Sequence, residues 1–249
     1  MIRAFALALQ LLTRLPVPSL TTPPQPRELG WSVLFFPGVG LLIGVLLAGM
    51  YTALWLIDPG LLAALALTVW VLLTGGLHLD GLADTADAWI GGQGDRERTL
   101  SIMKDPRSGP IAIVVIVLLL LTKFAALQVL LAGDAVLVLL LAPVLGRTAI
   151  IALLITTPYV RPDGLGSPYA NYLPRWNCSV LVLLTAAATV ALLEVLGGVL
   201  LVILGIGFLG LRHSLMTRLG GVTGDTLGAV CELTEMIVLL VPALLVNAG

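Results

Sequence analysis

Three aspartates at helical spacing are the first residues of the sequence that could carry chemistry. Asp80, Asp84 and Asp87 lie in GGLHLDGLADTADAW, directly after a long apolar run. At about 100° per residue, their spacing places the three carboxylates within about 60° on one face of a helix. Carboxylates this close repel each other, and a divalent cation such as Mg²⁺, which prefers carboxylate, water and phosphate oxygens, relieves the repulsion. The spacing therefore predicts that these residues are metal ligands and catalytic carboxylates, one of which accepts a proton.

A second acidic face is predicted near the carboxyl end of the chain, in GGVTGDTLGAVCELTE. Asp225 and Glu232 share a helix face, with the small residues Gly228 and Ala229 between them. Because small residues let two helices pack closely, we expect the two acidic faces to meet, with Asp225 and Glu232 as further metal ligands. Glu235 is rotated away from this face, and it is interpreted either as one more ligand or as the partner of a basic side chain.

Four basic residues are predicted to bind the phosphates of a substrate. Lys104 and Arg107 lie in the loop MKDPRSGP just before a helix, and Arg14 lies in TRLPVP near the start of the chain. Arg147 lies within an apolar segment, where a buried guanidinium needs an anion, either an acid of the two clusters or a substrate phosphate. Lys123 also lies within an apolar segment, and both an ion pair and a side chain that extends to the lipid headgroups remain open for it.

This set of side chains predicts metal-assisted phosphoryl transfer. The metal neutralises a diphosphate, basic groups hold the leaving phosphate, and one aspartate takes the proton of an attacking hydroxyl. The sequence contains neither the P-loop pattern GxxxxGK[ST] nor GxGxxG, and no Ser–His or Cys–His nucleophile is indicated. Cys178 and Cys231 are too far apart for a metal motif and are expected to be packed thiols. His78 is expected to point away from the aspartates, as a hydrogen-bonding or interfacial residue.

The composition predicts that these groups are carried by membrane helices. Of the 249 residues, 59% are hydrophobic and 11% are charged, whereas a soluble domain carries about 25% charged residues. The apolar residues are mostly Leu, Val, Ala and Ile, so we predict an all-α polytopic membrane bundle that forms a single domain over residues 1–249. The net charge of −1 gives no indication of a nucleic-acid partner.

About seven transmembrane helices are expected, preceded by a short interfacial helix over residues 1–12 that is too short to span a bilayer. Glycines and a proline in the first span predict a kink or a close helix contact. The fifth and sixth spans are short and are also compatible with one long helix. The predicted spans are residues 32–57, 60–79, 111–132, 135–157, 179–194, 197–211 and 227–247.

The distribution of basic residues predicts the orientation. Lys123 and Arg147 lie within spans, and the other 11 of the 13 lysines and arginines fall on the side that holds the N-terminus. The short loops of the opposite side contain none. By the positive-inside rule, the N-terminus and the acidic site are expected to face the cytoplasm.

Six motifs, in this order, resemble the cobalamin synthase family of adenosylcobinamide-GDP ribazoletransferases: TRLPVP, FFPGVGLLIG, GGLHLDGLADTADAW, MKDPRSGP, GRTA and GGVTGDTLGAVCELTE. The resemblance extends from Thr13 to Glu235, although residues 158–178 carry little recognisable motif. It implies a multi-pass enzyme of a prokaryotic inner membrane that acts late in cobalamin biosynthesis. Such an enzyme joins α-ribazole, or its 5′-phosphate, to adenosylcobinamide-GDP and releases GMP, with Mg²⁺ as the cofactor.

Two other functions remain as alternatives. A CDP-alcohol phosphatidyltransferase has analogous chemistry, but its motif D-x2-D-G-x2-A-R is out of register here, because Ala83 is only two residues after Gly81 and no arginine follows. A cation or solute transporter would use acids at the membrane midplane. It would also need internal repeats and access from the far side, and the sequence shows neither a clear repeat nor long far-side loops.

Overall fold

The computed structural model describes residues 1–17 and 22–246 of the chain. Its regular structure in these ranges is helical, apart from a single bridge between Tyr159 and Val222, which confirms the predicted all-α class. The helices are α1 (Ile2–Leu12), α2 (Pro26–Ser32), α3 (Phe36–Leu54), α4 (Pro59–Thr74), α5 (Leu77–Gly91), α6 (Arg96–Ile102), α7 (Pro110–Ala132), α8 (Val136–Thr156), α9 (Ser167–Asn171), α10 (Arg175–Leu219) and α11 (Gly224–Val246).

Five helical segments of the described chain are long and apolar enough to cross a membrane, or six if the bent pair α4–α5 is one span. The protein is therefore a multi-pass membrane protein. Helix α8 is the most buried of the five and α10 the least, and both α3 and α11 pack on α8. The two cysteines, Cys178 and Cys231, are buried free thiols, as predicted.

Both ends of α10 contact the same end of α8. Arg175, in the first turn of α10, donates from Nη1 to the carbonyl oxygen of Ile155 at 2.7 Å. Arg212, near the other end of α10, donates from Nη2 to the carbonyl oxygen of Thr156 at 2.8 Å. A straight helix would hold these two arginines about 55 Å apart at 1.5 Å per residue. Helix α10 is therefore folded back on itself.

The reversal in α10 lies at Glu194, whose backbone is not helical (φ 52°, ψ −125°). Just beyond it, Gly197 packs so closely on the first arm that a β-carbon there would lie 2.5 Å from the carbonyl oxygen of Thr189. The arms, residues 175–193 and 195–219, are antiparallel and correspond to the two short spans of the sequence prediction. Counted with them, and with α4–α5 as one unit, residues 22–246 contain seven apolar helical segments.

The second predicted span, residues 60–79, is corrected by the structure. Helix α4 already ends at Thr74, and α5 begins at Leu77 after a bend of 88°. Gly75 and Gly76 form the bend with positive φ values of 63° and 71°, a backbone region that is open to glycine and costly for residues with a β-carbon. The aspartates therefore lie on a separate helix that turns away from α4, and not on a straight extension of that span.

The glycines of the first span mediate a close helix contact, as predicted. A β-carbon at Gly44 would lie 2.8 Å from the Cα atom of Leu140, and Gly40 lies directly against the backbone of Pro143. Helices α3 and α8 therefore approach each other with backbone contact. The observed span starts earlier than predicted, because α2, a 3₁₀ turn and α3 form one continuous unit over Pro26–Leu54.

Candidate active site

Helices α5 and α11 cross at two glycines near one end of the bundle. A β-carbon at Gly81 of α5 would lie 2.7 Å from the carbonyl oxygen of Asp225, and one at Gly228 of α11 would lie 3.1 Å from the carbonyl oxygen of His78. Only residues without side chains allow two helix backbones to approach this closely. The expected close packing of the two acidic segments is therefore present.

The crossing brings together Asp80 and Asp84 of α5 and Asp225 of α11. Asp84 interacts electrostatically with both of the other carboxylates. Asp80 is exposed, whereas Asp84 and Asp225 are half-buried. Carboxylate oxygens that still reach solvent are the ligands that Mg²⁺ takes, so these residues fit the predicted metal by the chemistry of their donor atoms. In the described ranges, however, no three His, Cys, Asp or Glu side chains are already arranged around one metal position.

Asp225 instead forms an ion pair with a residue that the sequence did not single out. The Nη1 atom of Arg161 lies 2.7 Å from Oδ2 of Asp225, and both side chains are mostly buried, with 17% and 21% of their surface exposed. Arg161 belongs to the loop 158–178, which carried little motif. The only sequence signal for Arg161 was its position, a few residues after the predicted span 135–157 and on the same side of the membrane as the acidic segments.

Backbone hydrogen bonds fix the loop that carries Arg161 to the segment before α11. The amide of Val160 donates to the carbonyl oxygen of Val222 at 2.9 Å, and the amide of Val222 donates to that of Pro158 at 2.8 Å. Gly221 lies so close to the carbonyl of Pro158 that a side chain would not fit. Arg161 and Asp225 are therefore held across from each other by the main chain.

Tyr159 organises the same loop. A β-carbon at Gly164 would lie 2.8 Å from the hydroxyl oxygen of Tyr159, and one at Gly166 would lie 2.7 Å from it. This oxygen also lies near Gly224, at the start of α11. Burial raises the pKa of the Tyr159 phenol above its ordinary value.

Two cavities meet at Asp80. One of them, about 400 Å³, lies between Arg14, the glycine bend and α5. The other, about 380 Å³, is lined by Arg161 and Asp225 as well as by apolar side chains. Arg14 was predicted to face the site, and the structure places its exposed side chain over Gly75, at the cavity that it shares with Asp80.

The carboxylate of Asp87 has backbone partners. Its Oδ1 atom accepts a hydrogen bond from the amide of Ala112 at 2.9 Å, and its Oδ2 atom accepts one from the amide of Gly109. These amides belong to the first turn of α7, so Asp87 caps that helix from a neighbouring one. Its predicted role as a metal ligand stays a prediction, and the structure shows a competing role.

Glu232 lies in a buried charge cluster below the crossing. Lys123 Nζ lies 2.6 Å from Oε2 of Glu232 and 2.6 Å from Oε2 of Glu235, and Arg147 pairs with Oε1 of Glu235. The two cations and two anions balance, which lowers the cost of burying them. Arg147 thus has the acidic partner that the sequence required. The predicted metal contact of Glu232 stays a prediction, because in this structure Lys123 holds its carboxylate.

The other two predicted phosphate ligands lie on the surface. Lys104 is exposed, and Arg107 donates from Nε and Nη2 to Asp105 of its own loop, at 2.9 and 2.7 Å. These hydrogen bonds lower the pKa of Asp105 to about 2. The structure therefore does not bring Lys104 and Arg107 into the cavities at Asp80.

His78 is buried and not interfacial, and its Nδ1 atom has no partner among the described residues.

The chain is similar to one family over nearly its whole length. The profile of the cobalamin-5-phosphate synthase family matches residues 4–243. The adenosylcobinamide-GDP ribazoletransferase of Pseudomonas syringae pv. syringae (strain B728a) is 55% identical over 241 residues, 97% of this chain and 99% of that protein. Proteins of the same name from Pseudomonas putida (strain GB-1) and Stutzerimonas stutzeri (strain A1501) are 55% and 52% identical, over 95% and 97% of this chain and 96% and 98% of their own. No solved structure matches the chain.

Proposed function

The chain belongs to the cobalamin-5-phosphate synthase family, and on this basis we propose that it joins α-ribazole, or its 5′-phosphate, to adenosylcobinamide-GDP with release of GMP. The product is adenosylcobalamin or its 5′-phosphate, late in cobalamin biosynthesis. Membership in this family favours the transferase over the phosphatidyltransferase and the transporter, the two alternatives that the sequence left open.

The side chains at the crossing of α5 and α11 are the observation that supports assigning the reaction to this part of the fold. Asp80 of α5 and Asp225 of α11 line one cavity together with Arg161, and Asp84 interacts electrostatically with all three. Carboxylates suit a divalent cation, and a guanidinium suits the phosphate oxygens of a diphosphate. The cavities of about 380 and 400 Å³ are within the usual range for small-molecule sites, which begins near 300 Å³.

The chemistry is one displacement at phosphorus. The ribose hydroxyl oxygen of the acceptor forms a bond to the phosphorus on the cobinamide side of the diphosphate. The anhydride bond breaks, and its bridging oxygen leaves with GMP. The proton of the hydroxyl passes to a carboxylate of the site, which contributes about 10²–10⁴-fold in rate in general base catalysis. The carboxylates therefore need to lie close to both the attacking and the leaving oxygen.

Mg²⁺ is the proposed cofactor, with Asp80, Asp84 and Asp225 as the residues that would hold it. When bound, such an ion neutralises the charge of a diphosphate and of the departing phosphate oxygen. The residues themselves keep the site polar and open to solvent at an otherwise apolar helix crossing. Asp87 and Glu232 are weaker candidates, because α7 and Lys123 already hold their carboxylates.

The active site is proposed to face the cytoplasm from the inner membrane of a prokaryote. Arg161, Arg175 and Arg212 lie at the same end of the bundle as the carboxylates. The turns at the other end contain Asp58 and Asp134 and no lysine or arginine. Under the positive-inside rule, the arginine-bearing end is the cytoplasmic one.

The test is turnover by the purified protein in nanodiscs. Adenosylcobinamide-GDP, α-ribazole 5′-phosphate and Mg²⁺ are supplied, and GMP and the cobalamin product are quantified. We expect the two products in equal amounts, only when both substrates are present, and none after chelation of the metal. Release of CMP from CDP-diacylglycerol, or no nucleotide product at all, would contradict the proposal.

A further inference from the structure

Arg161 uses only one of its nitrogen atoms in the cavity. Its Nη1 atom holds Asp225, while its Nε and Nη2 atoms are buried and have no hydrogen-bond partner in the described part of the chain. Buried donors in proteins are nearly always satisfied, and a guanidinium binds phosphate and carboxylate through several nitrogens at once. The two unused donors therefore indicate a ligand that brings several oxygen atoms.

The present partner of Arg161 is one of the residues proposed to hold the metal. The Oδ2 atom of Asp225 faces the guanidinium at 2.7 Å, and Arg161 also interacts electrostatically with Asp84. A divalent cation and the guanidinium compete for the same carboxylate, since both are positive and need its oxygen atoms.

The backbone allows the guanidinium to move while the loop stays in place. The hydrogen bonds from Val160 to Val222 and from Val222 to Pro158 hold the main chain just before Arg161 and just before Asp225. The side chain of Arg161 has four rotatable bonds beyond that anchor, and the cavity that it lines is about 380 Å³. The guanidinium can therefore reach the cavity by rotation about side-chain bonds, without a change in the main chain.

We propose that Arg161 is the counter-ion of Asp225 in the substrate-free enzyme and moves to the diphosphate of the nucleotide substrate when Asp225 takes up a divalent cation. The inference rests on the proposed function, because it assigns the diphosphate of that reaction to Arg161. No covalent bond changes in this exchange. Its consequence is that metal and nucleotide favour each other's binding, since each removes a group that the other would have to displace.

The test compares Arg161→Gln with the wild type in nanodiscs, and it measures binding without turnover. Mn²⁺ affinity is measured by electron paramagnetic resonance, and affinity for GDP is measured with Mn²⁺ present. Because Arg161→Gln removes the guanidinium that competes for Asp225, it should raise the Mn²⁺ affinity by about threefold. Loss of the charged hydrogen bonds should lower the GDP affinity by about tenfold or more. Arg161→Lys should restore part of the GDP affinity, and the exposed Arg98→Gln should change neither value.

The opposite signs of the two changes separate the exchange from a merely structural role. If both affinities fall together, Arg161 supports the fold of the site, and the proposal is wrong. An unchanged GDP affinity, or no Mn²⁺ binding by the wild type, also overturns it. If Arg161→Gln shows the two opposite changes but the wild-type protein releases no GMP, the proposed function is wrong and the exchange stands.

Discussion

The main chain of Asp225 lies against Gly81, so close that a β-carbon on the glycine would come within 2.7 Å of the carbonyl oxygen of Asp225. This contact joins the acidic segment of α5 to that of α11. The positions of the carboxylates therefore depend on a glycine that has no chemistry of its own. It also gives a direct way to move the two helices apart without touching an acidic residue.

Gly81→Ala is expected to reduce transfer strongly while the protein still inserts into the membrane. The added methyl group meets backbone atoms that cannot yield, and overpacking of this kind typically costs about 1–3 kcal/mol. Turnover and thermal unfolding in detergent are the measurements. Gly38→Ala is the matched control, because a β-carbon at this helical position has no neighbour within 4 Å. Full activity of Gly81→Ala would show that the crossing tolerates separation.

Asp87→Ala tests the cap on α7. The substitution removes the acceptor of the amides of Gly109 and Ala112, and loss of such a cap costs about 0.5–2 kcal/mol. We expect a lower unfolding temperature and an unchanged Mg²⁺ concentration for half-maximal activity. Asp95→Ala, which removes the cap of the exposed helix α6, should have the smaller effect on stability. A large increase in the Mg²⁺ requirement, with normal stability, would place Asp87 among the metal ligands.

Lys123→Met tests the buried charge cluster. It leaves Glu232 and Glu235 without the cation that lies 2.6 Å from each, and breaking a buried pair costs about 3–5 kcal/mol. The double variant Lys123→Met/Glu232→Gln should recover part of this loss, because it restores the charge balance with Arg147. Unfolding in detergent is the measurement, and Thr122→Val on the exposed side of α7 is the control. Additive losses in the double variant would argue against a coupled cluster.

Much of the site could be predicted because it depends on local spacing. The face shared by Asp80 and Asp84 follows from the helical period, and the small residue Gly228 signalled a close neighbour. A buried guanidinium needs an anionic partner wherever it lies, so an acid could also be predicted for Arg147, and Glu235 is that acid. These inferences hold whatever the tertiary arrangement of the other helices.

The remaining features depend on contacts between distant segments. Arg161 reaches Asp225 only because the loop before α9 pairs with the segment before α11. The side chain of Arg14 lies against Gly75 at the bend, and two adjacent glycines do not by themselves fix its angle of 88°. The cap supplied by Asp87 serves a helix that starts more than 20 residues later in the chain. Spacing within one helix carries no information on such partners.

The most direct test of the account is the rate of GMP release by Asp84→Asn and Asp225→Asn, one change on each helix of the crossing. Both proteins are compared with wild type and with Asp163→Asn, an exposed aspartate of the neighbouring loop. We expect each of the two substitutions alone to lower kcat by about 10²-fold or more, while Asp163→Asn stays near wild type. Near-normal turnover by Asp225→Asn would contradict it, because the site would then belong to α5 alone.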